Sequence, residues 1–294
     1  MRDFAYFEPS SVGEAISLMA QHGNEARVIA GGTDLVVDMK RGRFRPSHLV
    51  SLKSARLDYI RPDSAHGVQI GAMTTVRAIE KSELIRRQYP IIFQAATQFA
   101  SIPIRNVATV GGNLCNAAPS ADMAPCLICL GATARIAGPA GEREIPLEEL
   151  FTGSGTNSLR PGEMLVELRV PPQDKSAPGA YLKYTIRWKS DLPVVSVAAV
   201  LNITPGTEVC REARIVFGNV APTPRRALQA EGLIRDRRLD GATIAACAQG
   251  AAEAVQARPG SIRASPEYKK AMVRVFTEKV ISTILSRPDS GERR

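Results

Sequence analysis

Arg27-Val-Ile-Ala-Gly-Gly-Thr-Asp-Leu-Val-Val-Asp-Met-Lys-Arg-Gly42 is the stretch on which the reading of this chain turns. Arg27 to Ala30 predict a short strand, and Gly31-Gly32 break it. Thr33 can then cap a helix carried by Leu35, Val36 and Met39 and closed at Gly42. Strand, glycine turn and helix start together suit an anion. Glycines let backbone N–H groups approach a phosphate closely, and a helix start adds positive partial charge. The pattern is neither GxGxxG nor a P-loop, so the usual dinucleotide and nucleotide motifs do not apply. At this point a simple tight turn accounts for it better.

Toward the N-terminus, Ser11-Val-Gly-Glu14 has capping-box spacing. Ala15, Ile16, Leu18 and Met19 give the following helix an apolar face that ends at Gly23. Strands are predicted at His48–Leu52 and Gly67–Met73, and helices at Val76–Arg87 and Pro90–Ala100. The segment 104–124 is small, polar and poor in charge, with no sustained period, and reads as a long functional loop. Strands follow at Thr133–Ala137 and Met164–Val170. Pro171-Pro172-Gln-Asp-Lys-Ser-Ala-Pro-Gly179 is the strongest linker signal in the chain. Beyond it come strands at Ala180–Ile186, Val194–Ile203 and Arg214–Gly218, then helices. The last helix has Ser265 as cap, Pro266 in its first turn and Glu267 at its positive end. The tail from Pro288 is expected to fray. Periodicity alone thus gives mixed α and β with a break near residue 175.

Inside the 104–124 loop, Thr109-Val-Gly-Gly-Asn113 repeats the glycine theme. Thr109 offers a hydroxyl, the glycines backbone donors, and Asn113 both donor and acceptor. Two such loops could clamp a pyrophosphate from different sides. Asp122 could accept from ribose hydroxyls or another donor. Two unrelated turns, with Asp122 capping the next helix, explain the same residues.

Composition excludes several classes. The 294 residues carry 38 basic against 29 acidic side chains, a net +9. The basic clusters (Arg86-Arg87, Arg225-Arg226, Arg235 to Arg238) have no interleaved aromatics, which argues for a solvated surface over nucleic-acid binding. No run is long and apolar enough to span a bilayer, and no signal peptide is evident. Five cysteines without framework spacing fit a reducing cytoplasm. Cys126-Leu-Ile-Cys129 has CxxC spacing, but its interior is apolar and no second CxxC completes four ligands. Buried thiols and no metal are expected. His22, His48 and His66 all lie outside the glycine loops, and no nucleophile–base pair can be assembled from the sequence.

Ile29-Ala-Gly-Gly-Thr-Asp-Leu35 with Ile104-Arg-Asn-Val-Ala-Thr-Val-Gly-Gly-Asn113 closely resembles the FAD-binding medium subunits of molybdenum hydroxylases, the xanthine and carbon monoxide dehydrogenase family. The resemblance continues in order through Asn116-Ala-Ala-Pro-Ser-Ala-Asp122, Phe217-Gly-Asn-Val-Ala-Pro-Thr-Pro224 and Arg263-Ala-Ser-Pro-Glu-Tyr268. It implies an α+β architecture. A two-subdomain FAD-binding domain of the PCMH type (1–174) is followed by a smaller α+β domain (178–287), a sheet with helices on one side. It implies that Ile29, Ala30, Gly31, Gly32, Thr33, Asp34 and Leu35, with Thr109, Gly112 and Asn113, hold FAD, and that Asp122 matches the family's aspartate after the second loop. Lys183, within Tyr181-Leu-Lys-Tyr-Thr-Ile-Arg-Trp-Lys-Ser-Asp191, matches the lysine near the flavin. Arg187 and Asp191 match its companions, or form a structural ion pair. Leu165 and Phe99 are candidates for apolar contact with the ring. Asn219 stands where a glycine or other small residue is common, in a turn read as structural.

The same resemblance implies non-covalent FAD and no catalytic side chain in this chain. Expected partners are an iron–sulfur small subunit with two 2Fe-2S clusters and a molybdopterin large subunit, the heterotrimer pairing into a dimer. Electrons would pass from the clusters through FAD to NAD or another acceptor. Some relatives, such as the flavin subunit of hydroxybenzoyl-CoA reductase, carry an added four-iron cluster on a cysteine-rich insertion, and none lies between Asp122 and Leu165. A flavin-free scaffold would show degraded glycine loops, and a free-standing flavin oxidoreductase would need its own catalytic base. The sequence shows neither.

Overall fold

The structure, a computed structural model, describes residues 3–64, 67–174, 177–187, 190–257, 261 and 263–286. His66, Trp188, Lys175-Ser176 of the linker and the tail from Pro288 lie outside the described residues. The chain divides into two units, Met1–Leu84 with Phe99–Ala118 and Gly131–Pro172, and Ile85–Gln98 with Pro119–Leu130 and Gln173–Arg294. Two segments from the first half, Ile85–Gln98 and Pro119–Leu130, group with the C-terminal residues.

In the first unit, a parallel sheet of Ala5–Phe7, His48–Ser51 and Ala26–Ile29 runs in that order. The helix Val12–His22 starts at Ser11, whose hydroxyl accepts from the Glu14 amide at 3.2 Å. The returning arm of the capping box is displaced by one residue: the Ser10 amide donates to Glu14 Oε2 at 2.8 Å. Ala15, fully buried, packs with Ala26, Val50 and Leu52. At the sheet end, the imidazoles of His22 and His48 stack with centroids 3.9 Å apart.

The second sheet of this unit is antiparallel, in the order Ile60–Asp63, Gly67–Gly71, Met164–Val170, Thr133–Gly138, Gly141–Pro146. The sequence predicts the inner three strands and misses the outer two. Arg61-Pro-Asp63 and Glu142-Arg-Glu144 are polar, as suits edge strands exposed to water. On the edge, Arg143 grips Glu163 with two bonds of 2.8 and 2.7 Å, and the Arg160 amide donates to the same carboxylate at 2.7 Å. The Arg143 fork, foremost among the causes, lowers the Glu163 carboxyl to about 2. A depressed carboxyl contributes stability above its unfolded value and loses it as pH falls through the folded one. Glu163→Gln is therefore expected to be less stable than the parent at neutral pH, with the difference vanishing between about pH 5 and about pH 2. Urea unfolding at stepped pH checks this, and a difference independent of pH would refute it.

The segment 104–124 is not one loop. It holds the helix Val110–Cys115 and is flanked by Ile102–Arg105 and Met123–Cys129. Helices of one or two turns are too short to show a hydrophobic period. The helix expected over Val76–Arg87 is likewise two, Val76–Lys81 and Glu83–Gln88, parted at Ser82 with φ −71°, ψ 116°.

In the second unit, Gly179–Tyr184, Val195–Thr204, Val209–Gly218 and Arg225–Arg226 form an antiparallel sheet in that order. One face, with Val195, Val197, Ala199, Leu201, Ile215 and Phe217, shares a core with residues of the helices Leu228–Ile234, Gly241–Ala254 and Pro266–Leu285. The opposite face carries Tyr181, Ala198 and Val216 in register. It is covered by the helices Pro90–Gln98 and Met123–Cys129. Both faces of this sheet are apolar and each must be buried, so the helices that follow the strands cover one face and two helices from earlier in the chain cover the other.

The late motifs serve this packing. Asn219 has a φ of +59°, a left-handed position that asparagine tolerates better than most side chains. Its amide donates to Pro119 O at 2.8 Å, and the fully buried Lys269 donates to its carbonyl at 2.7 Å. Asp191 takes Arg263 at 2.8 Å and Arg187 at 3.3 Å, plus the amides of Arg187 and Leu192. Desolvation pushes its carboxyl up, but these donors outweigh it and hold the group well below the usual range. Arg187 and Asp191 therefore form an ion pair within this unit.

Candidate functional site

The strand Ala26–Ile29 ends where the first glycine loop begins, and the helix Leu35–Lys40 follows. Gly32 has φ +69°. Thr33 is not the helix cap. Asp34 holds that position, and its side chain makes no capping bond. The Val36 amide reaches Gly32 O at 3.0 Å, whereas the amides of Gly31, Gly32, Thr33, Asp34 and Leu35 find no acceptor among the described residues. Five adjacent donors at a helix start form an anion-binding concavity.

The second loop touches the first. A Cβ placed on Gly31 would lie 1.9 Å from the Val107 carbonyl oxygen and 3.1 Å from Ala108 Cα. Only a residue without a side chain lets the two backbones meet this closely. On the far side, a Cβ on Gly111 would lie 2.6 Å from Ala72 O.

The donors of the second loop are already used. Val110 donates to Thr74 O at 3.0 Å, Gly111 to Ala72 O at 2.9 Å and Asn113 to Thr109 O at 3.0 Å. Gly112 donates to Thr109 Oγ1 at 3.0 Å. The sequence expectation that these glycines offer backbone donors is thus corrected: Thr109 caps its own helix, and the loop acts as a fixed wall behind Gly31. Phe99 and Leu165 are both buried in this unit. The Phe99 carbonyl accepts from Arg105 at 2.7 Å, and Arg105 also meets Glu80 at 2.9 Å. Leu165 pairs with Ile136 beside a register shift in the strand.

Asp122 and Lys183 belong to the second unit and meet there. Asp122 precedes the helix Met123–Cys129 but does not cap it. Its Oδ2 accepts from Lys183 Nζ at 2.9 Å and its Oδ1 from the Tyr181 hydroxyl at 3.0 Å. Lys183 also donates to Gln98 O at 3.1 Å. Both charged side chains are 4% exposed or less. Burial raises the Asp122 carboxyl, and Lys183 and then Tyr181 oppose the rise. Sequence reasoning missed Tyr181; the available signal was its position two before Lys183 in a strand, hence on the same face.

Cys126 and Cys129 are buried and unbridged, and burial raises both thiols. Cys129 donates to Arg214 O at 3.0 Å. Among the described residues no cluster of three or more His, Cys, Asp or Glu is placed to hold a metal. None of the described helices is long and apolar enough to cross a membrane.

The free amides suit an acceptor-rich anion such as a pyrophosphate. The buried carboxylate–ammonium pair suits a polar ligand edge. The residues present therefore fit FAD on chemical grounds, and comparison with known proteins agrees. The family described as FAD binding domain in molybdopterin dehydrogenase matches residues 2–173, and the CO dehydrogenase flavoprotein C-terminal domain matches residues 180–284. The xanthine dehydrogenase FAD-binding subunit of Escherichia coli O157:H7 is 35% identical over 96% of each chain. The carbon monoxide dehydrogenase medium chain of Afipia carboxidovorans is 33% identical over 97% of each. The solved carbon monoxide dehydrogenase of Hydrogenophaga pseudoflava lacking the Mo-pyranopterin moiety superposes with a TM-score of 0.92 at 29% identity, covering 97% of this chain and 98% of that one. With fold, loops and both domains in agreement, the chain belongs to the FAD-binding subunits of the molybdenum hydroxylases, oxidoreductases of the xanthine and carbon monoxide dehydrogenase type.

Proposed function

We propose that this chain carries electrons from partner iron–sulfur clusters through non-covalent FAD to NAD or another acceptor. The observation that carries the reading is the row of amides from Gly31 to Leu35, at a helix start, that find no acceptor among the described residues. In this reading Ala30 to Leu35 receive the pyrophosphate, and Ile29 ends the strand that aims them. Thr109 and Gly112 keep the second loop rigid behind Gly31, and Asn113 supplies a side-chain amide. Asp122 and Lys183 present one acceptor and one cation to the ligand, while Phe99 and Leu165 bound it with apolar surface. FAD, when bound, accepts electrons singly and releases them as a pair. The protein's part is to bind, orient and tune the ring.

The FAD-binding domain in this proposal is 1–174 and the C-terminal domain 178–287, boundaries supported by the family matches to 2–173 and 180–284. The partners proposed are a small subunit with two 2Fe-2S clusters and a large molybdopterin subunit, paired as a dimer of heterotrimers in the cytoplasm. The name medium chain borne by the carbon monoxide dehydrogenase relatives supports an assembly of unequal chains.

An absorbance spectrum of the purified chain, followed by acid precipitation, tests the cofactor reading. Oxidised-flavin bands are expected, with intact FAD released to the supernatant. Anaerobic NADH should then bleach the flavin of the complete complex. A colourless chain that takes up no added FAD refutes flavin binding, and bleaching only by other donors removes NAD from the reading.

A further inference from the structure

Tyr181 carries none of the roles assigned above, and its surroundings define one. Its side chain is among the largest of the fully enclosed ones, at 2% exposure. The strand Gly179–Tyr184 places it two residues before Lys183, so both side chains leave the same face. The strand is anchored at this point, since the Tyr181 amide donates to Gln94 Oε1 at 2.8 Å. Ser196, opposite Lys183 on the neighbouring strand, also acts on the phenol. The hydroxyl itself donates to Asp122 Oδ1 at 3.0 Å, while Lys183 occupies Oδ2 at 2.9 Å. Each carboxylate oxygen thus has its own donor from one strand.

We propose that Tyr181 is a positioning residue for the flavin site, its phenol fixing the Asp122 carboxylate opposite Lys183. The inference rests on the assignment of Asp122 and Lys183 to that site. Without the hydroxyl, the carboxylate keeps a single donor and is free to turn about its terminal torsion, which is soft. Burial already raises the Asp122 carboxyl, and one donor opposes that rise less than two do. The charged group facing Asp122 is Lys183; the other titratable groups acting on or near it are Tyr181 and, on the following helix, Cys126. An ionised carboxylate only accepts hydrogen bonds, whereas the protonated form also donates. Loss of the phenol therefore alters what the site offers a ligand first at low pH.

The test measures FAD affinity of the full chain, freed of its flavin, by fluorescence quenching from about pH 5 to about pH 9. The variants are Tyr181→Phe, Asp122→Asn and their combination. In Tyr181→Phe the acid limb of the affinity profile is expected to move up by about one pH unit, with the alkaline plateau within about threefold of the parent. Asp122→Asn should abolish the limb, and adding Tyr181→Phe to it should change nothing further. Ser196→Ala, a milder loss from the same network, should shift the limb in the same direction by less, and serves if Tyr181→Phe does not fold. An affinity lowered equally at every pH in Tyr181→Phe would reduce the residue to packing and overturn the proposal. If Asp122→Asn abolishes the limb while neither Tyr181→Phe nor Ser196→Ala moves it, the positioning role alone is lost. If Asp122→Asn leaves the profile unchanged, the assignment of Asp122 itself falls, and the role of Tyr181 with it.

Discussion

Gly31→Ala is expected to yield a protein that folds poorly and retains less than about a tenth of its FAD. The added methyl would sit 1.9 Å from the Val107 carbonyl oxygen and 2.7 Å from its carbon. That backbone cannot step aside cheaply. Ala108 is tied by its amide to Ile104 O at 2.8 Å and by its carbonyl to the Val76 amide at 2.9 Å. Something must yield, either the 107–108 backbone or the Gly31 loop. If the loop moves, the amides from Gly31 to Leu35 leave their common orientation, and a ligand that needs them together is lost. Overpacking of this kind costs about 1–3 kcal/mol in stability, and displacement of a ligand's donors by an ångström can cost about a hundredfold in function. Gly13→Ala supplies the control. Nothing lies within 4 Å of its added methyl, and it sits in the helix Val12–His22. The alanine there should leave flavin content intact and stabilise the fold by about 0.4–1 kcal/mol. Flavin content after desalting, with melting temperatures for all three proteins, decides the matter. A Gly31→Ala protein as yellow and as stable as the parent would show that the loops do not need this contact.

The same contact shows what the sequence could reveal and what it could not. The strand, glycine turn and helix around Gly31 were legible because each has a local cause, apolar residues or a glycine break, although the predicted Thr33 cap does not form. That Gly31 faces Val107 was not legible, since contact between residues so far apart in sequence leaves no periodic trace. The predicted donors at Gly111 and Gly112 illustrate the limit. Glycine in a loop suggests an exposed amide, but here the amides end on Ala72 and Thr109, and the missing side chains serve close packing. The residues alone raised Asp122 as an acceptor, and the resemblance to a family added Lys183. Only the three-dimensional structure brought them together and excluded the alternative that Asp122 is a simple cap. Likewise, no pattern within Pro90–Gln98 or Met123–Cys129 indicates that these helices cover a sheet whose strands begin at residue 179. Their apolar faces announce burial without naming the partner.

Lys183→Met is expected to destabilise the chain by about 3–5 kcal/mol at neutral pH. The change preserves most of the side-chain volume and removes the ammonium group, leaving Asp122 enclosed with Tyr181 as its one side-chain donor. A buried charge that loses its counter-ion is penalised far more than the intact pair contributes, because desolvation of the survivor is no longer offset. The effect should depend on pH with a definite sign. Burial raises the Asp122 carboxyl, and Lys183 is the main influence opposing it. Its removal sends the group higher still. A group whose folded value lies above its unfolded one has its stabilising share in full below the unfolded value and loses it as pH rises through the folded value. The deficit of Lys183→Met should therefore shrink toward acid, where Asp122 takes up a proton, and widen toward alkali. Asp122→Asn combined with Lys183→Met removes both charges and should recover much of the loss, as neutral replacement of a buried pair often does. Urea unfolding of the single and double variants between about pH 5 and about pH 8 measures both effects. A double variant no more stable than Lys183→Met would mean that packing, and not the orphaned carboxylate, sets the penalty. A deficit constant across pH would mean that Asp122 is not ionised in the folded parent, and its role as an acceptor toward the flavin would go with it.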